Sequence, residues 1–137
     1  MPELIRFGVS LEKRLLENFD SLIARKEYSN RSEAIRDLIR DSFVKEEWEK
    51  DKEVAGAISI VYDHHKRELV DKVMDIQHEY HDMIIASQHA HLDHHNCLEV
   101  IIVKGKAGKI KNLSDKLRSI KAVKHGSLSL TTLGKEF

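Results

Sequence analysis

The chain has 137 residues, 41% of them hydrophobic, with 23 Lys and Arg set against 23 Asp and Glu. That length fits one domain or two small ones, and two such domains would each gain from a partner chain. No apolar run approaches the ~18 residues of a membrane span, MPELIRFGVS does not read as a secretory leader, and the lone cysteine cannot form an internal disulfide, so a cytoplasmic protein with a free thiol or a metal thiolate is expected.

In chain order, LIRFGVSL (residues 4–11) alternates, with Ile5, Phe7, Val9 and Leu11 on one side and Leu4, Arg6, Gly8 and Ser10 on the other. This predicts one short strand with no second strand nearby. Its unpaired backbone is satisfied most simply by the same strand of another copy, which implies an obligate dimer. Residues 12–27 and 32–48 read as helices: Leu15, Leu16, Phe19, Leu22 and Ile23 share a face of the first, and Ile35, Leu38, Ile39 and Phe43 a face of the second, with Ser32 as the expected N-cap. The charged stretch 46–53 reads as the end of that helix and a linker. Then follow a strand (AGAISIVYD), a helix (residues 65–83), a strand (IIASQHAHL), a four-residue hairpin loop (DHHN), a strand (CLEVIIVKG), a helix (residues 106–123) and a strand (KHGSLSLTTL). This βαββαβ order is the split βαβ, ferredoxin-like unit. The expected class is α+β, with residues 1–48 as one domain, 49–53 as a linker and 54–137 as a second domain.

The balanced charge is unevenly placed. Residues 1–48 carry 9 Lys and Arg against 10 acidic residues, 49–103 carry 5 against 11, and 104–137 carry 9 against 2. The acidic, histidine-rich middle suits a cation, and the basic C-terminal stretch reads as a solvated helix face. Because the first segment is not basic overall, nucleic-acid binding there must rest on placed residues.

Such residues are present. An antiparallel ribbon built from two chains fits a DNA major groove, with Arg6, Gly8 and Ser10 facing outward; Arg bonds guanine in bidentate fashion and Ser reaches either base type. The start of the second helix, near Asn30, Arg31 and Ser32, offers N–H groups to a phosphate. A dimerisation module without nucleic acid explains the same pattern equally well.

The metal signal is denser. Four histidines and the only cysteine fall between His89 and Cys97. His89 and His91 share a strand face, and Cys97 opens the next strand across a tight hairpin, so two imidazoles and a thiolate converge on a borderline-soft site. A closed site needs a fourth ligand, and His78, His81, His94 and His95 are candidates. His94 and His95 sit in the loop beside the ligands already chosen, where geometry is strained, whereas His78 and His81 lie one turn apart on a helix. The ordinary alternative is a partly buried free cysteine beside surface histidines. On the second helix, Glu33 and Asp37 lie one turn apart and are expected to share a hard cation such as K⁺ through oxygen ligands, against surface ion pairs with Arg36 and Arg40.

YSNRSEAIRDLIR, with the short N-terminal strand, resembles the ribbon-helix-helix repressors. QHEYHD, HAHLDHHNCLEV, VKG and VKHG, in that order, look like the nickel-responsive regulator family (NikR), and the match covers essentially the whole chain. The resemblance implies an N-terminal ribbon-helix-helix domain for DNA binding and dimerisation, followed by a ferredoxin-like (ACT-like) domain for metal binding and tetramerisation. It selects His78 as the fourth ligand, supplied by a neighbouring subunit, with Ni(II) in a square plane of His78, His89, His91 and Cys97. It places Tyr62, His64 and Glu99 around that centre and Lys66 and Arg67 near the DNA backbone. It implies a homotetramer that reads palindromic double-stranded operator DNA and represses nickel-uptake genes. His81, His94 and His95 are left as surface residues or a weak secondary cation site. Two departures stand out: Gly8 has no side chain for base reading, and Glu27 stands where a glycine is frequent.

Two other functions compete. An enzyme would use Glu79 or Glu99 as a base at an open metal, but four ligands close the site and there is no GxSxG, P-loop or HExxH, so none is expected. A metal-storage or chaperone protein explains the histidines but leaves the N-terminal strand and helices without a role.

Overall fold

Lys13–Arg25 and Arg31–Glu49 form helices α1 and α2, close to the limits that apolar spacing predicts. The coordinates are a computed structural model that describes residues 2–137, and they divide into two compact units, the first ending at Arg40 and the second beginning at Asp41.

In the first unit, the turn after α1 is closed by two backbone bonds, Glu27 N–H to Ala24 O at 3.3 Å and Tyr28 N–H to Ile23 O at 3.2 Å. This is the Schellman pattern, which needs a left-handed residue after the helix. Glu27 supplies it at φ 59°, a conformation that costs a side-chain-bearing residue on the order of 1–2 kcal/mol and that glycine would take without strain. The N-cap of α2 is Asn30, not Ser32: the Asn30 Oδ1 accepts the Glu33 N–H at 2.9 Å. A cap residue must precede the first helical residue and reach the third, and with the helix starting at Arg31 only Asn30 is in that place.

Residues 4–11 form no strand in the single chain. A strand is held by its ladder bonds, and one chain provides no neighbour for this one. Its apolar side stays in solvent, with Phe7 72% exposed, and so do Leu15, Leu38 and Ile39 from the helices. The faces predicted to point inward are therefore only partly covered in a lone first unit, with Ile23 buried and Leu16, Phe19, Leu22 and Ile35 half-buried.

The second unit is a four-stranded antiparallel sheet with two helices. Its elements are β1 (Glu53–Asp63), α3 (Arg67–Glu79), β2 (Ile84–His91), β3 (Asn96–Lys106), α4 (Ala107–Arg118) and β4 (Val123–Leu130). The sheet order β2-β3-β1-β4 is that of the ferredoxin-like unit predicted from the sequence. α3 is shorter at both ends than the expected 65–83 segment, with turns at 80–83, and β4 stops at Leu130, short of Leu133. No helix among the described residues is long and apolar enough to cross a membrane.

Period-two patterning sorts the sheet. Val54, Ile58, Ile60 and Tyr62 of β1, with Cys97, Ile101 and Val103 of β3, are buried on one face beside Leu69 and Val73 of α3 and Ile110, Leu113 and Leu117 of α4. Each such aliphatic side chain contributes about 1.5–3 kcal/mol on leaving water. The opposite face, with Ala55, Ala57, Val61 and Val100, is half-buried. Trp48, in the charged stretch at the end of α2 that showed no core periodicity, is buried in this core, and its Nε1–H bonds Thr131 O at 2.9 Å. Gly126 is also buried, and a Cβ there would lie 2.5 Å from Cγ of Arg118.

Candidate metal centre

The β2–β3 hairpin sets the register His91 opposite Cys97 and His89 opposite Glu99, so all four residues share one face of the sheet. The loop between the strands is shaped by Asp93, whose Oδ1 accepts the N–H groups of His95 at 2.9 Å and Asn96 at 2.8 Å. The Asn96 side chain, followed by those backbone N–H groups, holds the Asp93 carboxyl down at about 2. The leading cause is a fixed donor favouring the charged form. Asn96 in turn accepts a bond from Lys124 of β4.

The burial of the four differs sharply. Cys97 is buried and its Sγ–H donates to Tyr62 O at 3.4 Å, while His89 and His91 lie exposed on β2, an edge strand. Burial pushes the Cys97 thiol above its usual range, a proton-retaining state for a ligand that must be a thiolate to bind metal. The His89 and His91 ring centroids are 5.4 Å apart, and the Tyr62 ring lies 6.0 Å from His89.

Beneath these residues runs a buried polar chain. Tyr62, opposite Cys97 in the β1–β3 register, donates its hydroxyl to Glu99 Oε1 at 2.6 Å, and Gln77 of α3 donates to Oε2. Burial, then the bond to Glu99, pushes the Tyr62 hydroxyl far above its ordinary ionisation range. Tyr62 is thus more than packing, and Gln77 is a partner that sequence reasoning missed; its place one residue before His78 is the only signal that could have found it. His64 is half-buried, with its ring 4.6 Å from His91 and its Nε2 3.1 Å from His94 O.

His78 is exposed on α3 beside His81, ring centroids 5.9 Å apart, and no ring contact among the described residues joins it to His89 or His91. Among the described residues, the His, Cys and carboxylate ligand atoms that lie within 4.8 Å of one another in a group of three belong to Asp63, His65 and His95. Those of His89, His91 and Cys97 are not gathered so closely. Sequence reading missed Asp63 and His65, which lie far from His95 along the chain and meet it only through the sheet.

The residues predicted to meet DNA fall in both units. Arg6, Gly8 and Ser10 are exposed, and a Cβ at Gly8 would meet nothing within 4 Å. Asn30 is occupied as a cap, and Arg31 holds Asp20 through two bonds at 2.9 and 2.8 Å. Ser32 is exposed, and its carbonyl accepts the Arg36 Nε–H at 3.3 Å. Glu33 pairs with Arg36 at 2.9 Å and Asp37 accepts the hydroxyl of Tyr28, so the two carboxylates expected to share a cation have separate protein partners. Lys66 and Arg67 are exposed where α3 begins and line a depression with Lys72 and Lys121.

Residues 55–131 match the family model described as the NikR C terminal nickel binding domain, and residues 5–46 match that of the ribbon-helix-helix protein, copG family. Three proteins bearing the name "Putative nickel-responsive regulator" are similar over almost their whole length. Those of Syntrophus aciditrophicus, Thermococcus kodakarensis and Pyrococcus horikoshii are 55%, 57% and 58% identical, each across 98% of both chains. A solved structure of an uncharacterized protein from Thermotoga maritima superposes with a TM-score of 0.53 at 16% identity, covering 58% of this chain and 98% of its own, a likeness of fold alone.

Proposed function

Because this chain belongs to the nickel-responsive regulator family, we propose that it is a transcriptional repressor that binds palindromic operator DNA when Ni(II) is bound and so lowers nickel uptake. A ribbon-helix-helix regulator binds DNA as an assembly of chains, and the exposed apolar faces of the first unit are those a second copy would cover.

The observation that carries the metal reading is the hairpin register, which sets His91 opposite Cys97 and keeps His89 on the same face of an exposed edge strand. Two imidazoles and a thiolate suit a late transition ion, and square-planar nitrogen and sulfur ligation suits Ni(II). His89, His91 and Cys97 would hold the ion with His78 of a second copy. An edge strand open to solvent leaves room for that helix, and among the described residues no ring contact joins His78 to the hairpin histidines. To bind, Cys97 must give up its proton and turn from Tyr62 O, while Tyr62, Glu99 and Gln77 brace the strands behind it. His64, against His91, limits how that imidazole turns.

The two roles are linked by differential affinity: a ligand strengthens DNA binding only by favouring the DNA-competent arrangement. A centre shared between copies favours one arrangement of a tetramer, with the half-buried sheet face available for assembly. Arg6 and Ser10 of paired ribbons then read bases, the start of α2 at Asn30, Arg31 and Ser32 faces phosphate, and Lys66 and Arg67 add phosphate contacts.

The test mixes a His78→Ala chain with a Cys97→Ala chain under conditions that exchange copies. A shared centre predicts that hetero-assemblies regain a nickel–thiolate absorption band and nickel-dependent retardation of operator DNA, each absent from the parent variants. Verified exchange without either recovery rejects the reading. Nickel binding without DNA retardation in the unaltered protein would instead make it a storage protein.

A further inference from the structure

Arg31 opens α2 at the end proposed to meet phosphate, yet its guanidinium is turned to a carboxylate of its own chain. Its Nε and Nη2 donate to Asp20 of α1 at 2.9 and 2.8 Å, one bond to each carboxylate oxygen. Exposed ion pairs in general contribute little, but a fork that matches two donors to two oxygens is the geometry that holds. The Arg31 bonds keep the Asp20 carboxyl below its usual range, so the partner stays an anion.

The backbone at this helix end is open. Asn30 Oδ1 takes the N–H of Glu33 at 2.9 Å, whereas among the described residues the N–H groups of Arg31 and Ser32 have no bond. Backbone donors at a helix N-terminus suit a phosphate oxygen. The cations beside them are not open. Arg31 is held by Asp20, and Arg36, the next cation along α2, is held by Glu33 at 2.9 Å. A surface proposed for a polyanion thus has both arginines of its first two turns paired.

We propose that Asp20 sets how well the protein tells operator from other DNA, by holding Arg31 away from phosphate until base contacts seat the start of α2. The inference rests on the reading that this end of α2 faces the DNA backbone. Phosphates are alike along any duplex, so an unopposed arginine strengthens binding everywhere. Arg31 with Asp20 is a neutral pair, and a passing phosphate must displace a carboxylate that already fills the fork. Exchanging one anion for another returns little. On operator DNA the ribbon contacts fix the helix end against one phosphate, which meets Arg31 together with the N–H groups of Arg31 and Ser32, and the exchange goes forward. Such discrimination comes from weakening the wrong complex.

The test measures binding of the nickel-loaded full chain to two duplexes, one enriched from a random-sequence pool on that protein and the same duplex scrambled. Asp20→Asn keeps the side-chain shape and removes the charge. It should strengthen binding to the scrambled duplex roughly five- to tenfold at about 0.1 M salt and steepen its slope of log affinity against log salt by about one unit, with a smaller gain on the enriched duplex. Arg31→Lys, which keeps a cation but cannot form the fork, should move the scrambled duplex in the same direction. In an Arg31→Ala background, Asp20→Asn should change neither duplex. Equal gains with and without Arg31 mean a general charge effect, and equal gains on both duplexes mean no discrimination; either overturns the proposal, as does unchanged binding of Asp20→Asn to scrambled DNA. If Arg31→Ala alters nothing even in the Asp20→Asn background, the phosphate-facing reading of α2 itself has failed.

Discussion

The hydroxyl of Tyr62 donates a 2.6 Å bond to Oε1 of Glu99, joining β1 to β3 inside the core, and Gln77 brings α3 to the same carboxylate. A carboxylate that is 7% exposed depends on those donors. Tyr62→Phe removes one and leaves the ring. It should cost about 1–3 kcal/mol in urea unfolding. A loss within experimental error would mean that water replaces the hydroxyl and that the bond contributes little.

Nickel affinity should rise with pH. Burial raises the folded-state pKa of Cys97, so the thiol is protonated at neutral pH and binding displaces that proton. Each unit of increase should strengthen binding about tenfold, levelling only above the raised thiol value, which exceeds the ordinary ~8.5. Calorimetric titrations in buffers of different ionisation enthalpy count the released protons directly. An affinity flat between about pH 7 and 8 would exclude Cys97 as a ligand.

Arg6→Ala should weaken binding to operator DNA by about 1–3 kcal/mol and to unrelated DNA far less, because a bidentate base contact discriminates between sequences. Gly8 offers no side chain beside it, so the loss is not shared with that neighbour. Equal losses on both DNAs would assign Arg6 to the phosphates.

Replacing Lys66 and Arg67 together with Ala should lower the slope of log affinity against log salt by about one unit per lost phosphate contact. Both side chains are exposed, and no ion pair among the described residues would be broken by the change. A slope the same as that of the unaltered protein would confine DNA binding to the first unit.

Where local pattern and final packing agree, the sequence was a good guide. The stretch AGAISIVYD reads as a strand, and β1, Glu53–Asp63, contains it. The spacing of His89, His91 and Cys97 places all three on one sheet face, as the register shows. Elsewhere the deciding partner was out of local view. The segment 4–11 has the period of a strand but no ladder within its own chain. Ser32 has good cap chemistry but sits inside the helix that Asn30 begins. Trp48 lies among charges in sequence, and its indole N–H bonds Thr131 O, just past β4 and far along the chain. Gln77 carries no motif, and Asp63 meets His95 only because β1 and β3 run side by side.

The seclusion of Cys97 also governs time. Its sulfur is wholly covered and hydrogen-bonded to Tyr62 O, so neither an ion nor an electrophile reaches it until the strand ends part. Oxidants attack thiolates, and a covered, protonated thiol offers few, so the metal-free protein should resist air and iodoacetamide. The same local opening must precede metal capture. The rate of nickel uptake should therefore climb with nickel concentration and then reach a plateau, and that plateau is the opening rate of the fold itself.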